Sequence, residues 1–408
     1  MSETPRPVRR ILHIDVDAMF VQCAVLADPE RLRDEPLILV GGSPEGRGVV
    51  TSASYGCRAF GVRSAMPTAT ALRLCSRAVV VPPPGAVIRA RSRALGALLS
   101  EWSPVGAMAS VDEAYLDLTG TEALYHHDPL DTVARRIQRE IRERTELQVS
   151  IGGGTNRLVA KLATSFAKPA GVHIVDPGNE DRFVAGIELS RLIGVGPALL
   201  ADLGRRGVTT MSALRALDLA TLVSWWGEDR ASWLWRRCRG IDSSPVGADP
   251  VTKSVSSETT FAHDRSSRQE LERALLGRVV DACASLRRQG LFARTITVKL
   301  RDAEFADRSR SRTLAEAVRT DRVVYAVSRE LLADLCQQVP TRRYRLIGVS
   351  LGNLEQDAEP EQGTLSDLAP PLEAPRDRNL AAAVDRIRAR HGGIIGPGGV
   401  SDSDRRRG

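Results

Sequence analysis

The sequence predicts a multidomain protein of the α+β class, and its length and two changes of pattern support that class. At 408 residues the chain is longer than one ordinary hydrophobic core fills, which favours two to four domains. Up to about residue 172, strand-like segments alternate with helix-like ones, as in a domain of mixed sheet and helix. From Phe183 to Arg239 the pattern is entirely helical, and strands and long helices resume after Lys253.

The first domain is predicted to begin with a short buried strand, Ile11–Asp15, followed by a helix over Ala18–Leu26. Further strands are predicted at Leu37–Val40, Val49–Ser52, Val79–Val81, Met108–Leu118 and Gln148–Ile151. Further helices are predicted at Tyr55–Phe60, Pro67–Leu74, Arg89–Trp102, Leu130–Arg144 and Asn156–Phe166. In the helix over 130–144, apolar residues recur four apart, so one face is expected to cover the sheet.

The second half of the chain contains two breaks in composition. Asp242–Pro250 is rich in Ser, Pro and Gly and is interpreted as a linker. Beyond it, strands are predicted at Arg294–Arg301 and Tyr344–Leu351. After Leu354 the chain is acidic and rich in Pro, and we expect it to be disordered.

The positive charge is concentrated in one segment. The net charge is +7, and Lys253–Arg345 alone holds 19 basic against 12 acidic residues, which accounts for the whole excess. Such a basic module is typical of a nucleic-acid grip, although a merely solvated basic face gives the same count. Only four of the 57 basic residues are lysines. Two of them, Lys161 and Lys168, lie close together, which hints that a compact point charge is needed there.

Composition also argues against several classes of protein. The six cysteines are widely scattered without a C-x-x-C pair, which fits neither a disulfide framework nor a zinc site. No apolar run is long enough to span a bilayer, and the N-terminus has no apolar signal region. We therefore expect a cytoplasmic protein that does not bind membranes.

Acidic residues lie at the ends of predicted strands. Asp15 and Asp17 close the first strand, and Asp112 and Glu113 lie in or beside a later one. Buried acids are costly unless they are paired or bind a cation, and converging carboxylates suit Mg²⁺. Spacing alone leaves ordinary salt bridges equally open. Since neighbours in a strand point to opposite faces, Asp112 and Glu113 share a site only at a turn or bulge.

Three other motifs have a structural interpretation. Gly194-Val-Gly196 followed by Pro197 matches a helix-hairpin-helix, whose glycine turn presents backbone N–H groups to a DNA phosphate, although an ordinary helical hairpin has a similar pattern. Gly152-Gly-Gly154 lacks the remainder of a P-loop pattern. The tryptophans between 225 and 235 are expected to belong to a helical core.

Five ordered blocks resemble those of the Y-family DNA polymerases, closest to the DinB or DNA polymerase IV branch. The resemblance extends from about residue 10 to residue 354. It rests on Ile11–Asp17, Gly48–Pro67, Ser110–Asp117, Asn156–Ala163 with Ala167–Gly171, and Arg294–Arg301.

The resemblance implies a right-hand polymerase with four domains, a linker and a tail. The palm would comprise residues 1–18 and 80–172, the fingers 19–79, and the thumb, which carries the helix-hairpin-helix, 173–243. A linker over 244–252 would lead to a DNA-binding little finger over 253–354. Residues 355–408 would form the disordered tail.

The resemblance also implies the functional residues. Asp15, Asp112 and Glu113 are the expected catalytic residues and would hold two Mg²⁺ ions together with the backbone carbonyl of Val16. The expected nucleotide-binding residues are Phe20, Ser52, Tyr55, Arg58 and Lys168, of which Phe20 would exclude a ribose 2′-hydroxyl. The expected DNA-binding residues are Gly194, Gly196, Arg294 and Arg301.

The expected activity is low-fidelity, template-directed DNA synthesis in translesion repair, with primer-template DNA and dNTP as partners and a monomeric protein. Gln362–Ser366 agrees with the family's sliding-clamp peptide only in its Gln and one Leu, so the clamp is a weaker expectation. Two other kinds of protein share part of this pattern: a non-catalytic, polymerase-shaped DNA-binding adaptor, and a helix-hairpin-helix glycosylase or nuclease. The second leaves the acidic strands and the basic segment unexplained.

Overall fold

The chain divides into two compact units, residues 1–249 and 250–408, in a computed structural model that describes residues 8–247, 252–338, 343–356 and 372–391. The boundary between the units falls within the predicted linker. No described helix has the length and apolar character that crossing a membrane requires. The clamp-like peptide Gln362–Ser366 lies outside the described residues.

The first unit holds eight of the described strands and twelve of the described α-helices. The strands are β1 (Ile11–Val16), β2 (Ile38–Gly41), β3 (Val50–Ala53), β4 (Val79–Val81), β5 (Gly106–Met108), β6 (Glu113–Asp117), β7 (Val149–Gly154) and β8 (Val172–Ile174). The helices are α1 (Met19–Ala27), α2 (Pro29–Leu32), α3 (Tyr55–Ala59), α4 (Thr68–Leu74), α5 (Gly85–Trp102), α6 (Leu130–Thr145), α7 (Arg157–Ala167), α8 (Glu180–Ala185), α9 (Pro197–Arg205), α10 (Met211–Ala216), α11 (Leu219–Trp226) and α12 (Glu228–Arg237).

A five-stranded sheet in the order β5-β6-β1-β7-β8 organises this unit. In β1, Leu12, Ile14 and Val16 point to one face and pack in a core with α5 and α6. Because successive strand residues alternate between faces, Ile11, His13 and Asp15 point to the other face. There Ile11 packs with residues of β6 and α7, so α7 covers this second side.

The predicted strand Met108–Leu118 is wrong as a single strand. It is the hairpin of β5 and β6, which pair antiparallel with Met108 opposite Ala114. Ser110 makes the turn, because its Oγ accepts hydrogen bonds from the backbone N–H of Asp112 at 3.3 Å and of Glu113 at 3.0 Å. Such local bonds compete with the strand ladder and end it.

Two smaller assemblies complete the first unit. A three-stranded sheet, β3-β2-β4, carries α3 and α4 on a small core. Helices α8–α12 form an all-helical assembly over the predicted helical stretch. The tryptophans at 225, 226, 233 and 235 are partly buried against its core, as the sequence predicted.

The elements of the second unit are β9 (Ser254–Arg265), α13 (Arg268–Arg288), β10 (Leu291–Asp302), β11 (Asp307–Val318), α14 (Asp321–Gln338), β12 (Tyr344–Gln356) and α15 (Pro375–His391). The four strands form an antiparallel sheet in the order β11-β10-β12-β9. Ile296, Val298 and Leu300 of β10 pack in the core beneath α13 and α14. The alternate residues of β10 therefore face away from the helices.

The prediction of disorder after residue 354 is wrong for residues 372–391. Helix α15 lies in this segment, and Arg287 of α13 binds its Asp385 through two nitrogens at 2.6 and 2.9 Å. Glu373 is 2% exposed and accepts hydrogen bonds from the backbone N–H of Arg319 at 2.8 Å and of Thr320 at 2.6 Å. Acidic residues that suggest disorder thus find specific cationic and N–H partners.

Candidate active site

Two of the predicted carboxylates meet on the sheet. In the antiparallel register of β1 and β6, Asp15 lies directly opposite Glu113, and on the other side it lies opposite Ser150 of β7. Directly opposite residues share one face, with Cβ atoms about 5 Å apart. Both carboxylates therefore lie on the face of the sheet that α7 covers, at the end of β1.

Asp112 reaches the same region because it belongs to the β5–β6 turn and not to a regular strand. Its carbonyl oxygen accepts a hydrogen bond of 2.9 Å from the backbone N–H of Val16, and its carboxylate accepts one from Ser110. The negative charges of Asp112 and Glu113 both raise the pKa of Asp15, although burial raises it more. The turn thus meets the condition under which neighbouring acids share a site. Val16 ends β1 with its side chain in the core.

Two lysines of one helical segment neutralise the paired acids. Lys168 Nζ lies 2.5 Å from Asp15 Oδ1, and Lys161 Nζ lies 2.6 Å from Glu113 Oε2. Burial raises the pKa of Asp15 to about 6 although Lys168 opposes it. The facing His13 imidazole and the Lys161 ammonium lower the pKa of Glu113 to about 2. The lysine pair hinted at by the composition therefore lies at the acids.

His13 lies beneath this cluster and was not predicted as a site residue. It is 1% exposed, its Nδ1 lies 2.8 Å from Thr164 Oγ1, and its ring packs edge-on against Tyr115 at 4.7 Å. Its Nε2 has no hydrogen-bond partner among the described residues and lies 3.9 Å from Glu113 Oε2. Burial lowers the pKa of His13, which favours the neutral imidazole.

Asp17, the second acid of the first motif, anchors other parts of the site. It is 4% exposed and accepts hydrogen bonds from Tyr55 Oη at 2.7 Å, Ser150 Oγ at 2.8 Å and the backbone N–H of Ala170 at 2.8 Å. Asp17 therefore ties α3 and the segment after Lys168 to the end of β1. Burial, and then the hydrogen bond to Asp17, raise the pKa of Tyr55.

The predicted nucleotide-binding residues are brought together only in part. Tyr55 is held by Asp17, and the Arg58 guanidinium lies 4.8 Å from the centre of the Tyr55 ring. Phe20 is partly buried on the first turn of α1, whereas its neighbour Met19 is in the core. Ser52 is 6% exposed within β3, which leaves little of its side chain for a ligand.

The carboxylate group fits Mg²⁺ by its chemistry, since hard oxygen ligands are what this ion prefers. Among the described residues no three His, Cys, Asp or Glu side chains lie close enough together to form a preassembled metal site. Lys161 and Lys168 each hold one oxygen of a carboxylate. A cation would therefore use the remaining oxygens or exchange with these lysines.

The predicted helix-hairpin-helix glycines lie before α9. Gly194 has a φ of +90°, a backbone conformation that favours glycine. A Cβ atom there would lie 2.5 Å from the Trp233 indole, so space is a second reason for glycine. Gly196 precedes Pro197, the first residue of α9, and a three-residue 3₁₀ turn, Leu189–Arg191, lies before the glycines.

The two predicted DNA-binding arginines of the second unit have acidic partners. Arg301 holds Asp307 through Nε at 2.6 Å and Nη2 at 2.8 Å, and Arg294 pairs with Glu355. Arg301 lies on the sheet face opposite α13 and α14, together with Thr297 and Lys299. A phosphate at this face would compete with carboxylates.

Comparison with known proteins identifies the family. Residues 14–165 match the impB/mucB/samB family, and residues 252–365 match that family's C-terminal domain. The DNA polymerase IV of Halorhodospira halophila is 39% identical over 360 residues, which cover 88% of this chain and 99% of the relative. The DNA polymerase IV of Gluconobacter oxydans is 37% identical over 352 residues, 86% of this chain and 97% of the relative.

The fold agrees with this family. A solved Y-family DNA polymerase chimera superposes with a TM-score of 0.76 at 23% identity, covering 85% of this chain and all of the other. The multidomain α+β fold is thus that of a Y-family polymerase. On the sequence matches over most of its length, the chain belongs to the Y-family DNA polymerases, in the DNA polymerase IV branch.

Proposed function

We propose that this chain is a low-fidelity, template-directed DNA polymerase that extends a primer 3′ end with deoxynucleotides during translesion synthesis and damage tolerance. Family membership supports DNA polymerase activity. The observation that carries the chemistry is the cross-strand pair of Asp15 and Glu113, with Asp112 at the adjoining turn. The cytoplasmic location stays a prediction.

Asp15, Asp112 and Glu113, with the backbone carbonyl of Val16, would hold two Mg²⁺ ions. When bound, the ions supply activation of the primer 3′-hydroxyl and neutralise the charge of the triphosphate and the leaving pyrophosphate. The chain's own part is to hold the carboxylates in place. Lys161 and His13 face Glu113, and Lys168 faces Asp15, so these two acids each have a fixed neighbour.

Tyr55, Arg58 and Lys168 are proposed to bind the triphosphate, with Ser52 a minor contributor. Asp17 supports this role, since it fixes the Tyr55 hydroxyl and the segment beside Lys168 at the same end of β1. Phe20, on the helix that follows β1, is proposed to fill the space of a ribose 2′-hydroxyl.

The domains are proposed to follow the polymerase arrangement. Residues 1–18 and 80–172, which hold most of the five-stranded sheet, are the palm, 19–79 the fingers and 173–243 the thumb. The second unit holds the little finger, residues 253–354, after the linker 244–252. The thumb would hold DNA phosphates at Gly194 and Gly196, and the little finger would do so at Arg294 and Arg301. A monomeric protein is part of the proposal, and a clamp contact through Gln362–Ser366, which matches the family peptide only in its Gln and one Leu, stays its weaker part.

Primer extension with a single dNTP and Mg²⁺ tests this function. Asp15→Ala and Asp112→Ala each remove a proposed metal ligand, so extension should fall by at least about a hundredfold. DNA affinity should change little, because it comes from phosphate contacts elsewhere. The control is Asp131→Ala, which removes an exposed acid of α6 that pairs with Arg135 on the same helix.

Three outcomes contradict the proposal. If either active-site variant extends the primer almost as fast as the parent, the residue substituted in it is not a metal ligand. Tight DNA binding by an unaltered protein that extends no primer supports the non-catalytic adaptor. Base release or strand cleavage without extension supports the glycosylase or nuclease.

A further inference from the structure

A small cavity opens on the thumb side of the carboxylate pair. Its volume is about 130 Å³, and its walls include Asp15, Glu113, Lys161, Lys168, Arg191 and Ile193. The first four belong to the sheet and the α7 segment. Arg191 and Ile193 come from the chain that leads into the Gly194–Gly196 turn. One wall of the proposed catalytic site is therefore part of the thumb.

Arg191 is the cation in this wall that no acid neutralises. Lys161 and Lys168 are paired with Glu113 and Asp15. No carboxylate lies within ion-pair distance of the Arg191 guanidinium in the part of the chain that the structure describes. Arg191 is also exposed, so it faces solvent as a positive charge at the mouth of the cavity.

Aromatic rings position this arginine. The Arg191 guanidinium lies 5.6 Å from the centre of the Phe166 ring, within the range of a cation–π contact. Phe166 packs against Phe183 at 5.4 Å and His173 at 5.7 Å. Phe166 is nevertheless 49% exposed, which is unusual for a ring that only fills a core. The cluster restricts the arginine without neutralising its charge.

The side of the carboxylate pair on which Arg191 lies indicates which phosphate it contacts. Tyr55 and Arg58, the proposed triphosphate ligands, are anchored through Asp17 at the C-terminal end of β1. The cavity with Arg191 instead includes His13, on the other side of Asp15, and of the three proposed triphosphate ligands only Lys168, at Asp15 itself, borders it. Cationic groups thus lie on both sides of Asp15, and the side away from Tyr55 and Arg58 is left for the primer.

We propose that Arg191 binds a backbone phosphate of the primer strand close to its 3′ end, with Phe166 as the residue that positions it. This inference rests on the proposed polymerase function, since it assumes that a primer end lies at the carboxylates. A guanidinium suits the contact because it donates two parallel hydrogen bonds to phosphate oxygens. The Gly194–Gly196 turn that follows would hold the same strand farther from its end.

The test measures primer-template affinity by fluorescence anisotropy without nucleotide or metal, so it does not depend on catalysis. Arg191→Ala should weaken binding about tenfold, the effect of losing one charged hydrogen-bonding contact. It should also reduce the slope of log K against log salt by about one. Arg191→Lys should recover part of the affinity. The control is Arg135→Ala, which removes an exposed arginine of α6 on the opposite side of the sheet.

Neutral methylphosphonate linkages placed one at a time in the primer identify the phosphate. One linkage near the 3′ end should weaken binding by the parent protein and leave Arg191→Ala unaffected. Phe166→Leu should show a smaller loss at that same linkage, and the melting temperature of each variant checks its fold.

The inference is overturned if Arg191→Ala binds DNA as the parent does. It is equally overturned if DNA affinity holds while the KM for dNTP rises, since the contact would then be with the triphosphate. Failure of the unaltered protein to extend a primer would instead count against the proposed function.

Discussion

At Asp15 and Glu113, two adjacent carboxyl groups have pKa values displaced in opposite directions. Burial raises that of Asp15 to about 6, despite its contact with Lys168. That of Glu113 falls to about 2 because His13 and Lys161 face it. At neutral pH both are ionised, but Asp15 is the acid whose charge is unfavourable in the folded protein. It therefore has the most to gain from a second cation.

This difference predicts a pH dependence of stability in metal-free protein. Between pH 3.8, the ordinary pKa, and about 6, the folded protein keeps a proton on Asp15 that the unfolded chain releases. The contribution of Asp15 to stability thus falls as pH rises through this range and is constant above it. The advantage of the parent over Asp15→Asn should shrink from pH 4.5 to 6.5, by at most about 2 kcal/mol.

Thermal unfolding with a chelator present measures this comparison. The opposite effect of Glu113 occurs at lower pH and is present in both proteins, so it cancels in the difference. A parent-minus-variant difference that is independent of pH would mean that Asp15 titrates normally.

A second residue-scale prediction concerns the sugar of the nucleotide. Phe20 is partly buried at the start of α1, and its ring is the proposed barrier to a ribose 2′-hydroxyl. Phe20→Leu should admit ribonucleotides at least about tenfold more readily and leave dNTP use largely intact, because the exclusion is steric. Single-nucleotide insertion of matched NTP and dNTP measures the ratio. Met19→Leu, a change at a buried neighbour, is the control, and an unchanged ratio in Phe20→Leu reduces Phe20 to packing.

At this scale the sequence predicts the acids and draws attention to Lys161 and Lys168, but it does not predict the other contacts around them. An acid in an apolar strand needs a partner or a cation, which singles out Asp15 and Glu113 but leaves salt bridges and a metal site equally open. The family resemblance assigns them to a metal site. His13, Asp17 and Arg191 act through contacts with residues far along the chain, such as Thr164, Ala170 and Phe166. Those contacts depend on how α7 lies on the sheet, which no local spacing specifies.

At the scale of elements, the close approach of α7 to β7 places Lys161 and Lys168 at the acids. The run of glycines Gly152–Gly154, which does not belong to a P-loop, explains this close approach. A Cβ atom on Gly152 would lie 2.2 Å from both the Ala160 carbonyl oxygen and the Thr164 nitrogen. Only a residue without a side chain lets the helix backbone lie that close to the strand.

Gly152→Ala should therefore destabilise the first unit by several kcal/mol and greatly weaken extension, since α7 must move away from β7. Gly96→Ala in α5 is a matched control, because its Cβ would meet only the Met108 side chain, at 3.5 Å. That change should be neutral or gain up to about 1 kcal/mol from helix propensity. Thermal unfolding of both variants measures the contrast, and equal stability of the two would contradict the packing argument.

Periodicity predicts the type of most helices and strands, but it does not predict two features of the structure. The β5–β6 turn forms because Ser110 accepts hydrogen bonds from nearby backbone N–H groups. The residue pattern from 108 to 118 does not show these bonds, so it predicts one continuous strand. Helix α15 has few apolar residues, and it is held by charged and polar contacts of Glu373 and Asp385 with the second unit. Amino-acid composition identifies segments that bury apolar side chains more readily than segments held by charged and polar contacts.

At the scale of the whole molecule, the candidate DNA contacts are divided between two covalently joined units. The first unit contributes the thumb turn and Arg191, and the second contributes the sheet face with Arg301. When two sites on one chain bind one duplex, each raises the effective concentration of the other. Overall affinity should therefore respond strongly to loss of either set.

Replacing Arg294 and Arg301 together by Glu tests the contribution of the second unit. Both arginines already contact acids, so a DNA phosphate must compete with Glu355 and Asp307 for them and gains less binding free energy from each contact. We nevertheless expect primer-template affinity to fall at least about tenfold at low salt, since the change also introduces repulsion. Losing two phosphate contacts should reduce the slope of log K against log salt by nearly two.

Arg273→Glu is the control for net charge, because this exposed residue lies on α13, on the side of the sheet that the helices cover. If only overall charge matters, the control should lose about half as much binding free energy as the double variant, because it reverses one charge instead of two. If the face opposite the helices is the contact, the control should bind almost as the parent does. An unchanged salt slope in the double variant would mean that this basic face is only solvated, and the grip on DNA would then lie in the first unit.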